Sequence, residues 1–394
     1  MIPRRRTAID AWSFLQSAWR QSVDDIGVFE AAFAAQTGCA HAVAGCSGRT
    51  TLVATLQACG LQPGDEVIVP ALTLLDLPEL LQRHSWVPVF VDVDRDTYLM
   101  DPVAVRQAVT SRTRAILPTD LFGNTVNWIA LLGRDARAAG ATIIEDAAHA
   151  AGTKLNGEQA GCHCDVAFFS LETIKTLHAF GGGVVVTNDA PLARRIRAAL
   201  PNDAPSPSRL PAKFLRNVVE NVGFRTPAYA VALAALDTPA LKSVILGAYE
   251  HVRQGSVATA TAWTPWQARF ARGQMAVLDE RIAKQRRVAQ RIMDGLAGVV
   301  TFQREPPGVV SNRYFLVGTI AGSPVELRRN LLRSGIDVGV GAEIVDFCPP
   351  ATTAAKFPNA QHIYDHMIQL PLFASLTDDA ADRIVAAIRR RLVT

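Results

Sequence analysis

Short apolar runs alternate along the chain with stretches whose apolar residues fall at helical spacing. Val28, Phe29, Ala31, Ala32 and Phe33 read as one helix face, and residues 48–59 read as a second helix stopped by Gly60. Pro63-Gly64-Asp65 marks a turn, and residues 66–69 after it predict a short strand. Residues 87–93 form an apolar run broken only by Pro88 and Asp92, which fits a strand buried in a sheet. Asp101-Pro102 predicts a helix start, with Asp as N-cap and Pro at the first helical position. Residues 115–117 and 141–144 predict further strands, with a helical stretch over 129–139 between them. Strands and helices alternating at this spacing imply an α/β fold with a mostly parallel central sheet covered by helices.

The pattern divides the chain. Residues 20–200 form the expected large domain. Pro201, Pro205, Pro207 and Pro211 then open a segment, 201–262, that reads as a helical insertion or connection suited to packing or subunit contact. Residues 263–394 form a smaller C-terminal part. Trp266, Ala268, Ala271, Met275, Leu278 and Ile282 recur there at helical spacing, and the charged run 279–287 lies on a solvated face. A strand at 314–319 and helices at 324–333 and 378–392 predict a small α+β domain.

Composition narrows the function classes. With 49% hydrophobic and 19% charged residues among 394, the chain can bury a sizeable core. A net charge of +4 is too small to argue for nucleic acid, and no stretch reaches the length of a membrane span. Arg4, Arg5 and Arg6 begin no signal peptide, because Asp10 interrupts the run that follows. The six scattered cysteines form no disulfide framework, so a reduced, cytoplasmic enzyme is expected. Cys162-His163-Cys164 has no second cluster to complete four ligands, and no metal is expected.

In parallel sheets, ligands sit beyond the carboxyl ends of the strands. Thr73, Asp120, Asp146, His149, Ser170 and Lys175 occupy such positions. Lys175 carries the most information. It lies between two apolar strands, one ending at Ser170 and one that follows Gly181, Gly182 and Gly183, where an ammonium is costly to bury. A lone loop lysine ordinarily points to water. One that is desolvated becomes a nucleophile suited to a Schiff base with pyridoxal phosphate (PLP). PLP also needs N–H donors and a hydroxyl for its phosphate, which Gly48, Arg49, Thr50 and Ser170 can supply at a helix start. Its ring nitrogen needs a carboxylate, and Asp146 ends the strand where one would stand. Gly181, Gly182 and Gly183 leave the neighbouring backbone unobstructed.

Cys46-Ser-Gly-Arg-Thr50, Pro63 to Thr73, Leu117 to Gly123, Glu145 to Ala150, Ser170 with Lys175 and Gly182 to Asp189 together resemble the DegT/DnrJ/EryC1/StrS family of PLP-dependent sugar aminotransferases. The resemblance implies an aspartate-aminotransferase-like fold, PLP as cofactor, small-molecule donor and acceptor, and a homodimer. It gives Lys175 the Schiff base and the proton shuttle, Asp146 the pyridinium nitrogen, and Ser170 with the 48–50 loop the phosphate. It places His149 near the ring's phenolic oxygen, and Leu74 where other members carry a stacking aromatic residue. Lys175 argues against the branch that replaces this lysine with histidine and acts as a dehydrase. The expected reaction is amino transfer from an amino acid, with glutamate the expected donor, to a keto-sugar, a nucleotide-linked sugar or a related carbonyl compound. Two alternatives stay open: another PLP reaction of secondary metabolism (condensation, elimination or decarboxylation), and a non-catalytic PLP-fold regulator. Leu74, the run Phe180-Gly-Gly-Gly183, the stretch Thr259 to Trp263 and the segment after Ile336 depart from the family pattern. Trp263, Trp266 and the inserted helices are expected to shape an altered pocket.

Overall fold

Six of the seven strands in the main sheet run in one direction. They are β1 (His41–Gly45), β2 (Glu66–Pro70), β3 (Val87–Val91), β4 (Thr113–Ile116), β5 (Thr142–Asp146) and β6 (Val166–Ser170). β7 (Gly183–Thr187) alone runs against them, inserted between β1 and β6. The strand order is β1-β7-β6-β5-β4-β2-β3. The computed structural model describes residues 1–7, 11–18, 22, 24–125, 140–201, 214–215, 218–219 and 263–392. The helix expected over 129–139, the stretch Thr259 to Ala262 and almost all of the 201–262 segment lie outside the described residues.

Side-chain alternation explains why this sheet is covered on both faces. In β6, Ala167 and Phe169 enter one core and Val166 and Phe168 the other; in β7, Val184 and Val186 part from Val185 in the same way. On the first face lies α1 (Asp25–Thr37). Its buried face is Phe29, Glu30, Phe33, Ala34 and Thr37, whereas Val28 and Ala31 are exposed, so the apolar face is rotated from the one read in the sequence. Glu30 lies inside because its carboxylate accepts from the Ala44 N–H at 2.8 Å and pairs with Arg197 at 2.6 Å. On the second face lies α2 (Gly48–Ala58), which buries Leu52 and Leu56. β3 corrects the expectation of a buried strand. It is the edge of the sheet, with Val87 exposed, and Pro88, which lacks an N–H, is tolerated at an edge.

A second sheet holds β8 (Thr301–Phe302), β9 (Leu316–Thr319), β10 (Gly339–Val340) and β11 (Met367–Leu370), all antiparallel, in the order β8-β9-β11-β10. Ile292, Leu316, Leu331, Ile368, Ile384 and Ile388 form its core with the helices Pro324–Leu332 and Asp378–Leu392. The periodic run after Trp266 is not one helix. It is α3 (Pro265–Ala276) and α4 (Leu278–Gly295), separated at Val277, whose φ/ψ of −113°/6° leaves the helical region. α3 starts on a capping box, with Thr264 Oγ1 accepting from Gln267 N and Gln267 Oε1 accepting from Thr264 N. α3 packs Trp266 and Phe270 into the first core of the large sheet, while α4 runs from Leu278 and Ile282 in that core to Val288 and Ile292 in the second.

The aromatic centre of the first core has a conformational cost built into it. Phe180 has φ 57° and is fully buried, with Phe270, His178, Phe14, Phe214 and Trp266 rings at 5.2–6.0 Å. A non-glycine residue in left-handed backbone costs about 1–2 kcal/mol, which the ring's burial offsets. Equilibrium denaturation is therefore expected to show Phe180→Ala losing about 3–5 kcal/mol. Phe180→Gly loses the same ring but relaxes the backbone, so it should exceed Phe180→Ala by about 1 kcal/mol. The alanine variant proving as stable as the glycine variant would refute the strain.

Candidate active site

Chain direction gathers the site residues at one edge. The carboxyl ends of β1, β5 and β6 deliver the loop before α2, Asp146 and Ser170; antiparallel β7 begins at that same edge with Gly183, paired with both Gly45 and Ser170. Two close approaches there favour glycine, the one at Gly183 strictly. A Cβ on Gly183 would stand 2.6 Å from the Ser47 carbonyl oxygen, and one on Gly48 would stand 3.2 Å from Ser170 Cβ. The backbones of the α2 start and the β6–β7 pair are therefore pressed together into a cradle.

Ser47 is the N-cap of α2. Its Oγ accepts from Thr50 N at 3.1 Å and lies 2.8 Å from Thr50 Oγ1. The Thr50 amide is thus committed to the cap. Gly48 and Arg49, the first two helical residues, keep the amides that no turn of helix can satisfy. Those amides, the positive end of α2 and the neighbouring Ser170 hydroxyl make an anion-binding corner. The Arg49 guanidinium pairs with Asp76 at 2.8 Å, which ties this corner to the helix Asp76–Arg83.

Asp146 and Lys175 are close enough for the charge of each to act on the other, and each keeps part of its surface exposed. Burial pushes the Asp146 carboxyl up to about 6, opposed by the Ala148 N–H at 3.1 Å on Oδ1 and then by the charge of Lys175. Its second oxygen accepts no hydrogen bond among the described residues. Burial lowers the Lys175 amine to about 8, while the carboxylates of Asp146 and Glu172 hold it up and Arg5 and Arg49 push it down. The Lys175 Nζ lies 5.3 Å from the centre of the Tyr314 ring. Tyr314 stacks on His149 at 4.4 Å. His149 is buried, and burial followed by the charge of Lys175 holds its pKa well below the usual histidine range. Its Nδ1 accepts from Phe122 N at 3.2 Å, so the neutral ring carries its proton on Nε2.

The residues read from the sequence thus converge, with one exception. Leu74 sits on the loop after Thr73, is 41% exposed, and takes part in none of the hydrogen bonds or ring contacts that join the others. Asp120, also at a strand end, is wholly buried. Burial and the neighbouring Glu145 push its carboxyl well above the usual range, so it forms an acidic pair behind Asp146 rather than a wall of the site. Trp263 and Trp266 shape the core, not a pocket: both are 5% exposed, and Trp263 Nε1 donates to Gly181 O at 3.1 Å. Two contributors were missed in the sequence, Tyr314 and Asn312. Asn312 donates from Nδ2 to the carbonyls of His149 (2.7 Å) and Ala151 (2.9 Å) and accepts from Tyr314 N, so it fixes both halves of the His149–Tyr314 stack. A buried asparagine just before an apolar strand was the available signal.

PLP fits this edge on the donor set itself. The two first-turn amides suit a phosphate, the unshared Asp146 oxygen suits a protonated ring nitrogen, and the depressed Lys175 amine suits an aldehyde. In PLP-free protein, the reactivity of Lys175 toward a small acylating reagent, followed by peptide mass spectrometry, is expected to titrate with a midpoint near pH 8. Asp146→Asn removes the charge that favours the ammonium, so the midpoint should move lower. A midpoint in the ordinary lysine range, unmoved by Asp146→Asn, would contradict the electrostatic account.

Comparison with known proteins agrees with this geometry. A stretch of 171 residues is 42% identical to 3-amino-5-hydroxybenzoate synthase of Amycolatopsis mediterranei, covering 43% of this chain and 44% of that one, so the chain spans less than half the length of this curated relative. The crystal structure of DesV from S. venezuelae, solved in complex with a ketimine intermediate, superposes with a TM-score of 0.73 at 27% identity over 96% of this chain and 93% of that one. Spr1654 from Streptococcus pneumoniae, in its PLP form, shares the fold with a TM-score of 0.74 at 20% identity over 99% and 98%. The model of the DegT/DnrJ/EryC1/StrS aminotransferase family matches residues 5–389, and the chain belongs to that family.

Proposed function

We propose that this protein is a PLP-dependent aminotransferase that moves an amino group from an amino-acid donor, with glutamate expected, to a keto-sugar, a nucleotide-linked sugar or a related carbonyl compound. The observation that carries the reading is the Lys175 amine, lowered to about 8, beside an Asp146 carboxylate with one unshared oxygen, at the edge where glycines press the α2 start against Ser170. Bound PLP would supply an aldehyde carbon and an electron-withdrawing ring.

The chain's own residues do the rest. The Gly48 and Arg49 amides and the Ser170 hydroxyl bind phosphate and fix the position of the ring. Asp146, ionised above about pH 6, holds a proton on the ring nitrogen and so keeps the ring electron-poor. Near pH 8, about half of the Lys175 side chains are neutral, so Nζ is both a nucleophile and a base. Nζ would take the proton that leaves the donor's α-carbon and hold it for return to the reacting group. His149 stays neutral through this range and offers its Nε2–H as a hydrogen-bond donor. Tyr314 and its neighbour Phe315, both buried, limit water around Nζ. A homodimer and a cytoplasmic location belong to the same proposal; among the described residues, no helix is long and apolar enough to cross a membrane.

A second reading keeps PLP but ends in elimination. It is supported by the aromatic product named for the 42% identical synthase and by Leu74 and Phe180, which depart from the family pattern. Purified protein incubated with PLP is expected to show a visible absorption band. L-glutamate should discharge that band with release of one 2-oxoglutarate per site. Lys175→Ala should lose the band and lower turnover about 10³-fold or more. Discharge of the band without oxo-acid release would favour elimination, and a protein that takes up no PLP would overturn both readings.

A further inference from the structure

A cavity opens beside Lys175. About 60 Å³ in volume, it is lined by Lys175, Tyr314 and the N-terminal residues Arg5, Arg6 and Thr7, with Arg281 opposite. Four of its lining residues are basic, namely Arg5, Arg6, Lys175 and Arg281, and none is an aspartate or glutamate. A concave, low-dielectric wall of one sign raises the local concentration of the opposite charge.

Arg5 differs from the arginines on either side of it. Arg4 is bound to the small sheet, with Nε 3.1 Å from Asp337 Oδ2 and an ion pair to Glu343. Arg6 donates to Ser375 Oγ at 3.5 Å. Arg5 makes no hydrogen bond or ion pair among the described residues, and its charge acts on Lys175 and on Tyr314. The segment that carries it is fixed. Ile2 N donates to Gly335 O at 2.8 Å, Asp337 N donates to Ile2 O at 3.0 Å, and Leu372 N donates to Arg4 O at 3.2 Å. A guanidinium on a segment placed by three backbone bonds, beside a nucleophilic amine and with no carboxylate among the described residues paired to it, is positioned for a carboxylate that arrives with the ligand.

We infer that Arg5 is a specificity-determining residue that binds a carboxylate of the substrate in the cavity beside Lys175. The volume decides among anions. At about 60 Å³ the space is nearer the size of a carboxylate than of a nucleotide diphosphate. A larger cavity of about 370 Å³ shares Arg6, Thr7, Arg281, Phe373 and Ala374 with it and leads outward past Lys284. The body of the substrate lies in this outer cavity while its carboxylate reaches Arg5. The inference rests on the aminotransferase reading for the identity of the reacting group, but the carboxylate site can be measured without turnover. The carboxylate can belong to the amino donor or to a carboxylated ring acceptor, and the chemistry at Arg5 is the same.

Calorimetric titration of PLP-loaded protein tests this with two inert probes, glutarate for a dicarboxylate donor and 3-hydroxybenzoate for a carboxylated ring, each against its amide. At least one acid is expected to bind more tightly than its amide, and Arg5→Met should weaken that acid about ten- to hundredfold while leaving the amide unchanged. Arg5→Lys should recover part of the loss. Glutarate as the affected probe assigns the site to the donor, and 3-hydroxybenzoate assigns it to the acceptor. Acid and amide binding alike, or Arg5→Met binding the acids as the parent does, overturns the inference. Loss of acid binding in Arg5→Met, together with absence of 2-oxoglutarate release by the parent protein, would remove the aminotransferase reading and leave the carboxylate site standing.

Discussion

The structure depends on holding an amine out of bulk water beside a carboxylate. Burial alone would drive Lys175 far toward the neutral form and Asp146 toward the acid. Asp146 holds the amine up, and the Ala148 N–H followed by the charge of Lys175 holds the carboxyl down, so that one settles near 8 and the other near 6. Between those values both are charged, and just above the upper one the amine is free to attack. Most of the surrounding architecture places these two groups. A parallel strand ends at Asp146, an adjacent one ends at Ser170, and a glycine turn behind Lys175 is pinned by Trp263 Nε1 and by Gln267 Nε2, which donates to Ala179 O and Gly181 O.

The reversed strand β7 gives this arrangement its shape. Because it runs against its neighbours, it starts where they end, and Gly183 brings its backbone within reach of the Ser47–Gly48 peptide. The phosphate corner and the lysine loop are therefore two ends of one short, tightly paired segment. The strain at Phe180 belongs to the same turn, where successive residues 180, 181 and 182 all have positive φ. Its aromatic cluster, centred on Trp266 and Phe270, stabilises a backbone that local preference alone would not choose.

Much of this was legible in the sequence because it follows from local rules. The capped start of α2, the strand ending at Asp146 and the glycine run required only spacing and residue type, and the strand alternation gave the fold class. What was not legible depended on which strand lies at an edge and which residues far apart in sequence meet. Val87 and its neighbours read as buried because apolarity does not report strand order. The Val277 break is invisible because Leu278 and Ile282 continue the apolar spacing while the axis changes. Asn312 and Arg5 are nearly 140 residues after and 170 residues before Lys175, and no periodicity links them to it. Spacing places Thr50 among the residues suited to a phosphate, and only the structure shows that its amide is bonded to the Ser47 cap.

The most direct test of the central claim, that Lys175 is the amine to which PLP is joined, is borohydride reduction of PLP-loaded protein followed by peptide mass spectrometry. The account predicts a single pyridoxyl-phosphate adduct, on the peptide containing Lys175, and none in Lys175→Ala. An adduct on another lysine in the parent protein, or no adduct at all, would contradict it.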